Sequence, residues 1–471
     1  MTADSRDAVV DQGRRPTLTL WDTISLLVGI VVGTAIFKSP GMVFRSVEAV
    51  WEAIGLWVAG GALSLAGALC YAELAAAYPR SGGDYEYLGR AYGRGMGLQF
   101  AWAQLLIVLT GSVGSMAYAF ADYARDFWQL SDDYSLWLVL GSIVVLTATN
   151  LIGLRAGATA QNILTTAKLA GLAAIAVAAF TGSHRSDLLQ TSPGGGRDIG
   201  LALVFVLYAY SGWTHAAYVA AQVREPQRRL PQALLAGVGV VTLIYFVINL
   251  SFVVALGSAG AASSETPASD AVRVTAGDGA ARLVSLLVML SALGAINGTV
   301  LTGAHVLSEL AIDYPGLAWL QARGGRKGTP VRALLLQSFV AILLVLAVGT
   351  APGRGSVDAI LQGVGLQAAP WDKYYGGFET LVAASAPLFW GFLLLTGTTI
   401  FILRWKDPHR ERPFRTPGYP VTPLVFCAAC GYMLYASVIY ARGLTLIALL
   451  PIASAFAISW WHRPRATVGN D

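Results

Sequence analysis

Charged residues are scarce in this chain. Only 13% of its 471 residues are Asp, Glu, Lys or Arg, whereas 55% are hydrophobic; soluble chains carry roughly 25% charged residues. A soluble fold could not hide that much apolar surface. The composition therefore excludes an ordinary soluble domain, and the net charge of +5 is not interpreted as a nucleic-acid-binding patch. The apolar composition predicts an all-α polytopic membrane protein.

Cysteine and histidine are also rare, with three and five residues respectively. Cys427 and Cys430 have the spacing of a metal or redox pair, but no second ligand pair accompanies them and both lie in an apolar run. We interpret them as structural and expect no disulfide framework, no metal and no cofactor. Nucleophile and phosphate-loop motifs are absent as well, so we do not expect an enzyme.

Long apolar runs dominate what is present. Twelve of them are candidates to cross a bilayer, which takes about 20 residues each. Residues 1–17 are polar and precede a run much longer than a signal-peptide core, so we expect them to remain as a tail. Most Lys and Arg residues fall in alternate connections, which marks those connections as cytoplasmic. Both termini are predicted to be cytoplasmic, in a cell (inner or plasma) membrane.

The first apolar run is interrupted halfway. Residues 29–40 read GIVVGTAIFKSP, and the small residues Gly33, Thr34 and Ala35 weaken a helix at mid-depth. The backbone groups freed by such a break must bind a ligand or a neighbouring helix. Freed N–H groups suit a carboxylate, and freed carbonyls suit a cation. The alternative is that the small residues only permit close helix packing.

A second interruption lies five runs later. Ser211 and Gly212 are flanked by Tyr208, Tyr210 and Trp213 within the run that begins at Leu201. Broken helices in corresponding positions indicate a binding site between inverted repeats. The predicted organisation is a tail (1–17), a first repeat (18–182), an outer linker (183–198), a second repeat (199–404), a cytoplasmic loop with two more helices (405–462) and a tail (463–471).

Few ionisable residues fall inside the runs. Lys168 stands alone in the fifth run, where burying an isolated ammonium costs at least about 2.5–3.5 kcal/mol. A functional role is therefore the first hypothesis, and a lysine that only ties two helices together is the alternative. Lys38, near the outer end of the first run, is interpreted as a snorkelling side chain. His215, beside the second interruption, is a weaker candidate for carrying a proton.

Six segments together resemble the amino acid-polyamine-organocation superfamily, and within it the L-type amino acid transporter branch and its bacterial relatives. They are GIVVGTAIFKSPG at 29–41, YPRSGGDYEYLGRAYG at 78–93, YAYSGWTHAAYV at 208–219, REPQRRLPQAL at 224–234, GAINGTVLTGAHV at 294–306 and RPFRTPGYPVTP at 412–423. The resemblance extends over roughly residues 18–460. It does not specify a substrate.

The resemblance implies twelve transmembrane helices in a leucine-transporter-like arrangement: five-plus-five inverted repeats with broken helices 1 and 6, and two C-terminal helices. It also implies alternating access and an amino acid held between helices 1, 3, 6, 8 and 10. The substrate carboxylate would meet the backbone of Gly33, Thr34 and Ala35. Its amino group would meet carbonyls around Tyr208, Ala209 and Ser211. The substrate-binding set that follows is Val31, Gly33, Thr34, Ala35, Tyr208, Ala209, Ser211 and Gly212.

Further roles are implied in the same way. Lys168 matches a helix 5 lysine that resembles a substitute for sodium in sodium-independent members, and we assign it to coupling. Possible gate or lining residues are Trp213, His215, Asn297, Leu388, Phe389 and Trp390.

The sequence also departs from the family pattern. Ala35 replaces the usual second glycine, and its methyl group favours a small substrate or a shifted pose. The loop after helix 3 has no cysteine, so no disulfide-linked ancillary subunit is expected. Segment 351–377 is longer than usual and is expected to form a lid or short helix.

The leading prediction is a sodium-independent secondary transporter of amino acids, most simply neutral ones, by exchange or proton-coupled uptake. A polyamine or organocation transporter is an alternative that needs a carboxylate in the cavity, for which Asp122 and Glu309 are candidates. A third alternative is an amino acid receptor, which the expected absence of a soluble signalling domain disfavours.

Overall fold

The computed structural model describes residues 19–78, 83–152, 158–182, 197–214, 223, 225–321, 323–324, 329–371, 374 and 376–461. Within these residues the regular structure is helical apart from two short antiparallel strands, β1 (Arg323–Gly324) and β2 (Thr329–Pro330). The predicted tails 1–17 and 463–471 lie outside the described residues. The predicted all-α class is confirmed.

Many of the helices can cross a membrane. Eight of those described are long and apolar enough: Val50–Ala77, Arg94–Trp128, Asp132–Ile152, Arg228–Ser263, Asp278–Ala304, Val331–Gly349, Gly377–Lys406 and Val421–Ala441. Shorter apolar helices cover Leu20–Val31, Thr166–Thr181, Ile199–Thr214 and Leu444–Phe456. The chain is therefore a multi-pass membrane protein.

The first apolar run is broken where the small residues predict it. Helix α1 (Leu20–Val31) begins with a capping box, in which the Thr19 hydroxyl accepts a bond from the Asp22 amide and the Asp22 carboxylate accepts one from the Thr19 amide. It ends before Gly33, whose backbone is extended. A 3₁₀ turn (Thr34–Phe37) and helix α2 (Ser39–Arg45) continue the run.

The rest of the first half is helical with one π-turn. Its elements are α3 (Val50–Ala77), α4 (Asp84–Tyr92), α5 (Arg94–Ala103), the π-turn Gln104–Val108, α6 (Leu109–Trp128), a 3₁₀ turn (Asp132–Tyr134), α7 (Ser135–Ile152) and α8 (Ala158–Thr181). The π-turn makes α5 and α6 one continuous span. Such turns are frequent at functional sites.

The second half begins with the other broken helix. Its elements are α9 (Ile199–Tyr210), α10 (Pro226–Ser263), α11 (Pro267–Ala276), α12 (Asp278–Asp313), a 3₁₀ helix (Pro315–Gln321), α13 (Val331–Gly349), α14 (Ala351–Gly363), α15 (Gly377–Lys406), α16 (Val421–Ala441) and α17 (Leu444–Trp461). Within α10, Gly257 has φ 72° and kinks the helix.

Two connections between the long apolar helices themselves contain helices. The Ala-, Ser- and Gly-rich connection between α10 and α12 forms α11, whose Ser269 side chain is fully buried. Segment 351–377, expected to form a lid or short helix, begins with α14. Thr350 caps this helix by accepting a hydrogen bond from the Gly353 amide at 3.0 Å.

Aromatic side chains pack the core next to the second break. The ring of Tyr245 on α10 lies 5.4 Å from that of Trp57 and 4.9 Å from that of Tyr210, both edge-on. All three side chains are fully buried. These contacts hold α3, α9 and α10 together on one side of the breaks.

A buried carboxylate joins the C-terminal ends of α3 and α15. Glu73 is 1% exposed, and the Arg404 guanidinium binds both of its oxygens, at 2.8 and 2.7 Å. The Thr416 amide, in the loop after α15, donates to Glu73 Oε2 at 2.7 Å. Arg412 from the same loop approaches to 3.8 Å. The loop therefore folds back and covers the ends of both helices.

Candidate functional site

The first break is held from α8. Lys168 is 6% exposed, and its Nζ donates to the carbonyls of Gly29 and Val32 at 3.1 Å each. Because those carbonyls flank the end of α1, the lysine sits where the broken helix exposes partial negative charge. This contact brings Lys168 to the break, although the two are more than 130 residues apart in sequence.

The second break lies against the first. Residues 211–214 form one tight turn, in which the Ser211 hydroxyl donates to the Tyr208 carbonyl at 2.8 Å. A Cβ atom added to Gly212 would stand 2.9 Å from the Cα of Val31. A side chain at position 212 would therefore force the two breaks apart, so this glycine permits their close approach.

A single hydroxyl serves both breaks. Tyr245 Oη lies 2.8 Å from the carbonyl oxygen of Val31 and 2.9 Å from that of Ala209. A phenol has one proton, so it donates to one of these carbonyls at a time or shares the proton between them. Tyr245 thereby links the ends of α1 and α9.

A cavity of about 420 Å³, the central cavity, opens between the two breaks. All eight predicted substrate-binding residues and Lys168 line it. The remaining lining consists of Gly29 and Ile30 of α1 and, from neighbouring helices, Leu109, Ser112, Met116, Ser291, Gly294, Ala295, Gly298, Thr299, Thr302 and Phe378. The structure thus brings the predicted set together around one space.

Two hydroxyls in this cavity lack partners. Thr34 Oγ1 and Ser291 Oγ are buried and have no hydrogen-bond partner among the described residues. Both residues line the cavity, and an unpaired buried hydroxyl costs about 1–3 kcal/mol. A ligand that bonds to them would remove that cost.

A second cavity of about 110 Å³ adjoins the first, with which it shares Ser112, Tyr208 and Ser211 in its lining. It extends to Asp84 at the start of α4, whose carboxylate accepts a hydrogen bond from Tyr71. Burial, with smaller effects of the Asp84 and Glu86 carboxylates, raises the pKa of the nearby Tyr87 phenol. Gln104 of the π-turn is also part of this lining.

The predicted gate residues are more dispersed. Phe389 and Trp390 line the second cavity, and Trp213 lines a smaller adjoining one of about 20 Å³. Asn297 accepts a hydrogen bond from Asn150 at 2.8 Å and is not a lining residue of these three cavities. Leu388 is 3% exposed and packs in the apolar cluster around Phe100. His215 lies outside the described residues.

The predicted environment of Lys38 is wrong. Its side chain does not snorkel to the surface but is 6% exposed, and its Nζ lies 2.6 Å from Asp122 Oδ2. Because Asp122 serves this pair and does not line the central cavity, it does not supply the carboxylate that an organocation carrier needs there. The Glu309 side chain lies outside the described residues.

Several residues of the site escape prediction from the sequence. Tyr245 stands in an ordinary apolar run, and only the fold shows that it faces both breaks. Ser112 and Met116 on α6 and Phe378 on α15 line the cavity from helices without breaks. The cluster of small residues at 111–115 was a usable signal for close approach on α6.

The family of the chain follows from its sequence. Residues 18–460 match the family model described as amino acid permease. The chain belongs to the amino acid permease family. The superfamily that its six segments resemble is thereby confirmed. Among the residues described for this permease, no group of three His, Cys, Asp or Glu side chains is arranged to hold a metal ion.

The permease is similar to characterised transporters along most of its length. It is 28% identical over 439 residues to the human b(0,+)-type amino acid transporter 1, which covers 90% of this chain and 82% of the relative. It is 25% identical to the serine/threonine exchanger SteT of Bacillus subtilis, covering 91% and 92%. For the human large neutral amino acids transporter small subunit 2 the identity is 27%, covering 93% and 80%.

These relatives are transporters, in agreement with the prediction that the permease is not an enzyme. Among solved structures, it resembles the inward-facing conformation of Mhp1, with a TM-score of 0.55 and 14% identity, covering 95% of this chain and 92% of that chain. Mhp1 in a closed conformation with bromovinylhydantoin bound gives a TM-score of 0.54 and 15% identity. At these identities the likeness shows the fold alone.

Proposed function

We propose that this permease is a sodium-independent secondary transporter of neutral amino acids across the cytoplasmic membrane. It works by exchange or proton-coupled uptake with alternating access. The observation that carries the proposal is the cavity between the two breaks, with Lys168 bound to the carbonyls of Gly29 and Val32. Its similarity to a serine/threonine exchanger and to a large neutral amino acids transporter subunit supports exchange of neutral cargo.

The substrate bridges the breaks. Its carboxylate lies on the backbone around Gly33, Thr34 and Ala35. The Thr34 hydroxyl has no hydrogen-bond partner among the described residues that the substrate would have to replace. Its ammonium group lies on carbonyls around Tyr208, Ala209 and Ser211. This polarity matches the partial charges at the ends of broken helices. Because one ligand contacts both broken helices, its binding favours their movement together.

Lys168 takes the place of a sodium ion. Carbonyls at the end of α1 accept no hydrogen bonds from the amides of a continuing helix. A cation between this end and α8 stabilises them. The lysine supplies that cation from within the chain, since its Nζ is within hydrogen-bond distance of two such carbonyls. No external sodium is then needed to order the break.

Neutral cargo follows from the charge of the cavity lining. Lys168 is the charged residue among the described lining residues, and no Asp or Glu is among them. A cationic side chain or a polyamine would therefore meet no carboxylate there. The lining from other helices includes the apolar or small residues Met116, Phe378 and Gly298, and a Cβ at Gly298 would meet nothing within 4 Å. A large apolar side chain of a substrate is accommodated beside these residues. The Ala35 methyl group adds crowding only at the substrate carboxylate.

The topology completes the proposal. The eight long spans and the four shorter apolar helices make twelve membrane helices, arranged as inverted repeats 18–182 and 199–404 followed by two helices. Both termini are cytoplasmic, and no disulfide-linked ancillary subunit is attached.

The test is ligand-dependent thermal stability of the purified protein in detergent against the twenty amino acids and common polyamines, with and without sodium. A ligand at a hundred times its dissociation constant adds about 2.7 kcal/mol to the folded state. We expect stabilisation by a group of neutral amino acids that does not depend on sodium. Stabilisation by polyamines only, or only in sodium, contradicts the proposal. Exchange against preloaded substrate in liposomes then separates antiport from proton-coupled uptake.

A further inference from the structure

The outer half of the first broken helix is attached to its neighbours by polar contacts. Lys38, at the start of α2, donates from Nζ to Asp122 of α6 at 2.6 Å and to the Glu265 carbonyl at 3.0 Å. Glu265 lies in the connection between α10 and α11. Three separate segments therefore meet at one ammonium group.

Arg125 extends this contact. Its guanidinium lies 3.4 Å from the second oxygen of Asp122 and 2.9 Å from the Glu265 carboxylate, and it also pairs with Asp132. Charges of opposite sign thus alternate from α2 across α6 to the connection before α11. The side chains of Lys38 and Asp122 are only 5% and 14% exposed, so water screens this pair much less than a surface pair.

The ion pair lies on the outer side of the central cavity. Met116, which lines the cavity, precedes Asp122 by six residues on the same helix, or about 9 Å along the axis. On the first run, Thr34 and Ala35 line the cavity and Lys38 follows them outward. A path from the cavity to the outside between α2 and α6 would have to pass this pair.

Two further contacts of the outer half-helix, in its 3₁₀ turn and in α2, are polar, whereas residues 42–44 of α2 are buried in the hydrophobic core. The Tyr123 hydroxyl donates to the Phe37 carbonyl at 2.9 Å, and Arg45 donates to the Ala262 carbonyl. Polar groups that separate into water are rehydrated there, whereas separating apolar surfaces costs free energy in proportion to the area exposed. The polar part of the outer contact is therefore the part suited to breaking and re-forming.

We propose that Lys38 and Asp122 form a reversible ionic latch that holds the outer half of the first broken helix closed over the cavity. The two are positioning residues, because they act on α2 and not on the substrate. The latch rests on the proposed alternating access. It predicts that loss of the pair shifts the permease toward its outward-open state without removing the binding site.

The test measures access from the outside. Cys70, Cys427 and Cys430 are replaced by alanine, and Met116→Cys is introduced as a reporter in the cavity. Intact cells are treated with a charged, membrane-impermeant methanethiosulfonate, and the rate of modification is followed. The double variant Lys38→Gln/Asp122→Asn removes the pair without leaving one buried charge alone. We expect it to label at least about tenfold faster, since labelling follows the outward-open population.

Two comparisons make the result specific. Lys38→Arg retains the charge, and we expect labelling close to that of the parent. Arg273→Gln removes a different outer ion pair, between α11 and Asp126, that does not contact α2, and we expect no change. Unchanged labelling in the double variant, or equal acceleration by Arg273→Gln, overturns the latch.

Labelling needs no substrate, so this outcome is independent of the cargo. If no amino acid stabilises the parent but the double variant labels faster, the proposed function fails and the latch stands. If amino acids bind and labelling does not change, the latch alone fails. Gel filtration of each variant confirms that it is folded before labelling is compared.

Discussion

Replacing Lys168 by methionine separates the two roles that a buried lysine can have. Methionine retains a long unbranched apolar chain but has no charge. The change removes two hydrogen bonds, from Nζ to the carbonyls of Gly29 and Val32. It also removes an ammonium group whose burial in the membrane interior costs at least about 2.5–3.5 kcal/mol on insertion scales. These two effects act on different measurements.

The hydrogen bonds determine the effect on binding. A hydrogen bond from a charged group contributes about 1.5–3 kcal/mol, so two of them contribute at least roughly 3 kcal/mol to an ordered break. If the substrate has to supply that order instead, its affinity falls roughly 100-fold, since about 1.4 kcal/mol is a factor of ten. The unliganded protein, relieved of a buried charge, is expected to melt at the same temperature or higher.

The assay is therefore paired. Thermal melting without ligand gives the stability, and a titration with the stabilising amino acid gives the dissociation constant. Lys406→Met is the matched control, because Lys406 also donates to a carbonyl, that of Ala91 at 2.8 Å, but lies at the C-terminal end of α15 away from the cavity. We expect the control to bind like the parent. Loss of melting temperature with unchanged affinity would show that Lys168 only ties two helices together.

Three further substitutions test the cavity. Tyr245→Phe leaves the Val31 and Ala209 carbonyls without their shared donor, at about 1–3 kcal/mol; titration should show roughly tenfold weaker binding, and parental affinity would contradict the role of Tyr245. Gly298→Leu places a side chain in open space beside the cavity; competition uptake should lose large neutral amino acids and retain small ones, and an unchanged profile would contradict the placement. Gly33→Leu obstructs the carboxylate position and should abolish binding; an intact titration curve would remove the substrate from this break.

Local sequence features predict local features of the fold well. Small residues at Gly33–Ala35 predict the first break because their effect on a helix depends mainly on immediate neighbours. The long apolar runs predict membrane spans for the same reason. Lys168 attracts attention because its charge conflicts with its surroundings, which is visible without any knowledge of its partner.

Predictions fail where a residue depends on a partner distant in sequence. The ammonium of Lys38 is paired with a carboxylate 84 residues away, and nothing near Lys38 indicates that its charge is neutralised inside the protein. Tyr245 contacts carbonyls 36 and 214 residues away. Helix α11 is hard to predict for another reason, since the Ala- and Ser-rich composition of its connection resembles a loop. Pro267 at its first position and Asp270 in its first turn are helix-start signals that were available.

The buried Glu73 has a consequence for biosynthesis. Its carboxylate enters the membrane with α3, but its partner Arg404 follows 331 residues later and the Thr416 amide 343 residues later. During synthesis, the second membrane span therefore carries an acidic group whose neutralising partners have not yet been translated. Completion of this end of α3 must wait for the C-terminal quarter of the chain. A chain that stops before Arg404 therefore carries the Glu73 carboxylate without its guanidinium partner.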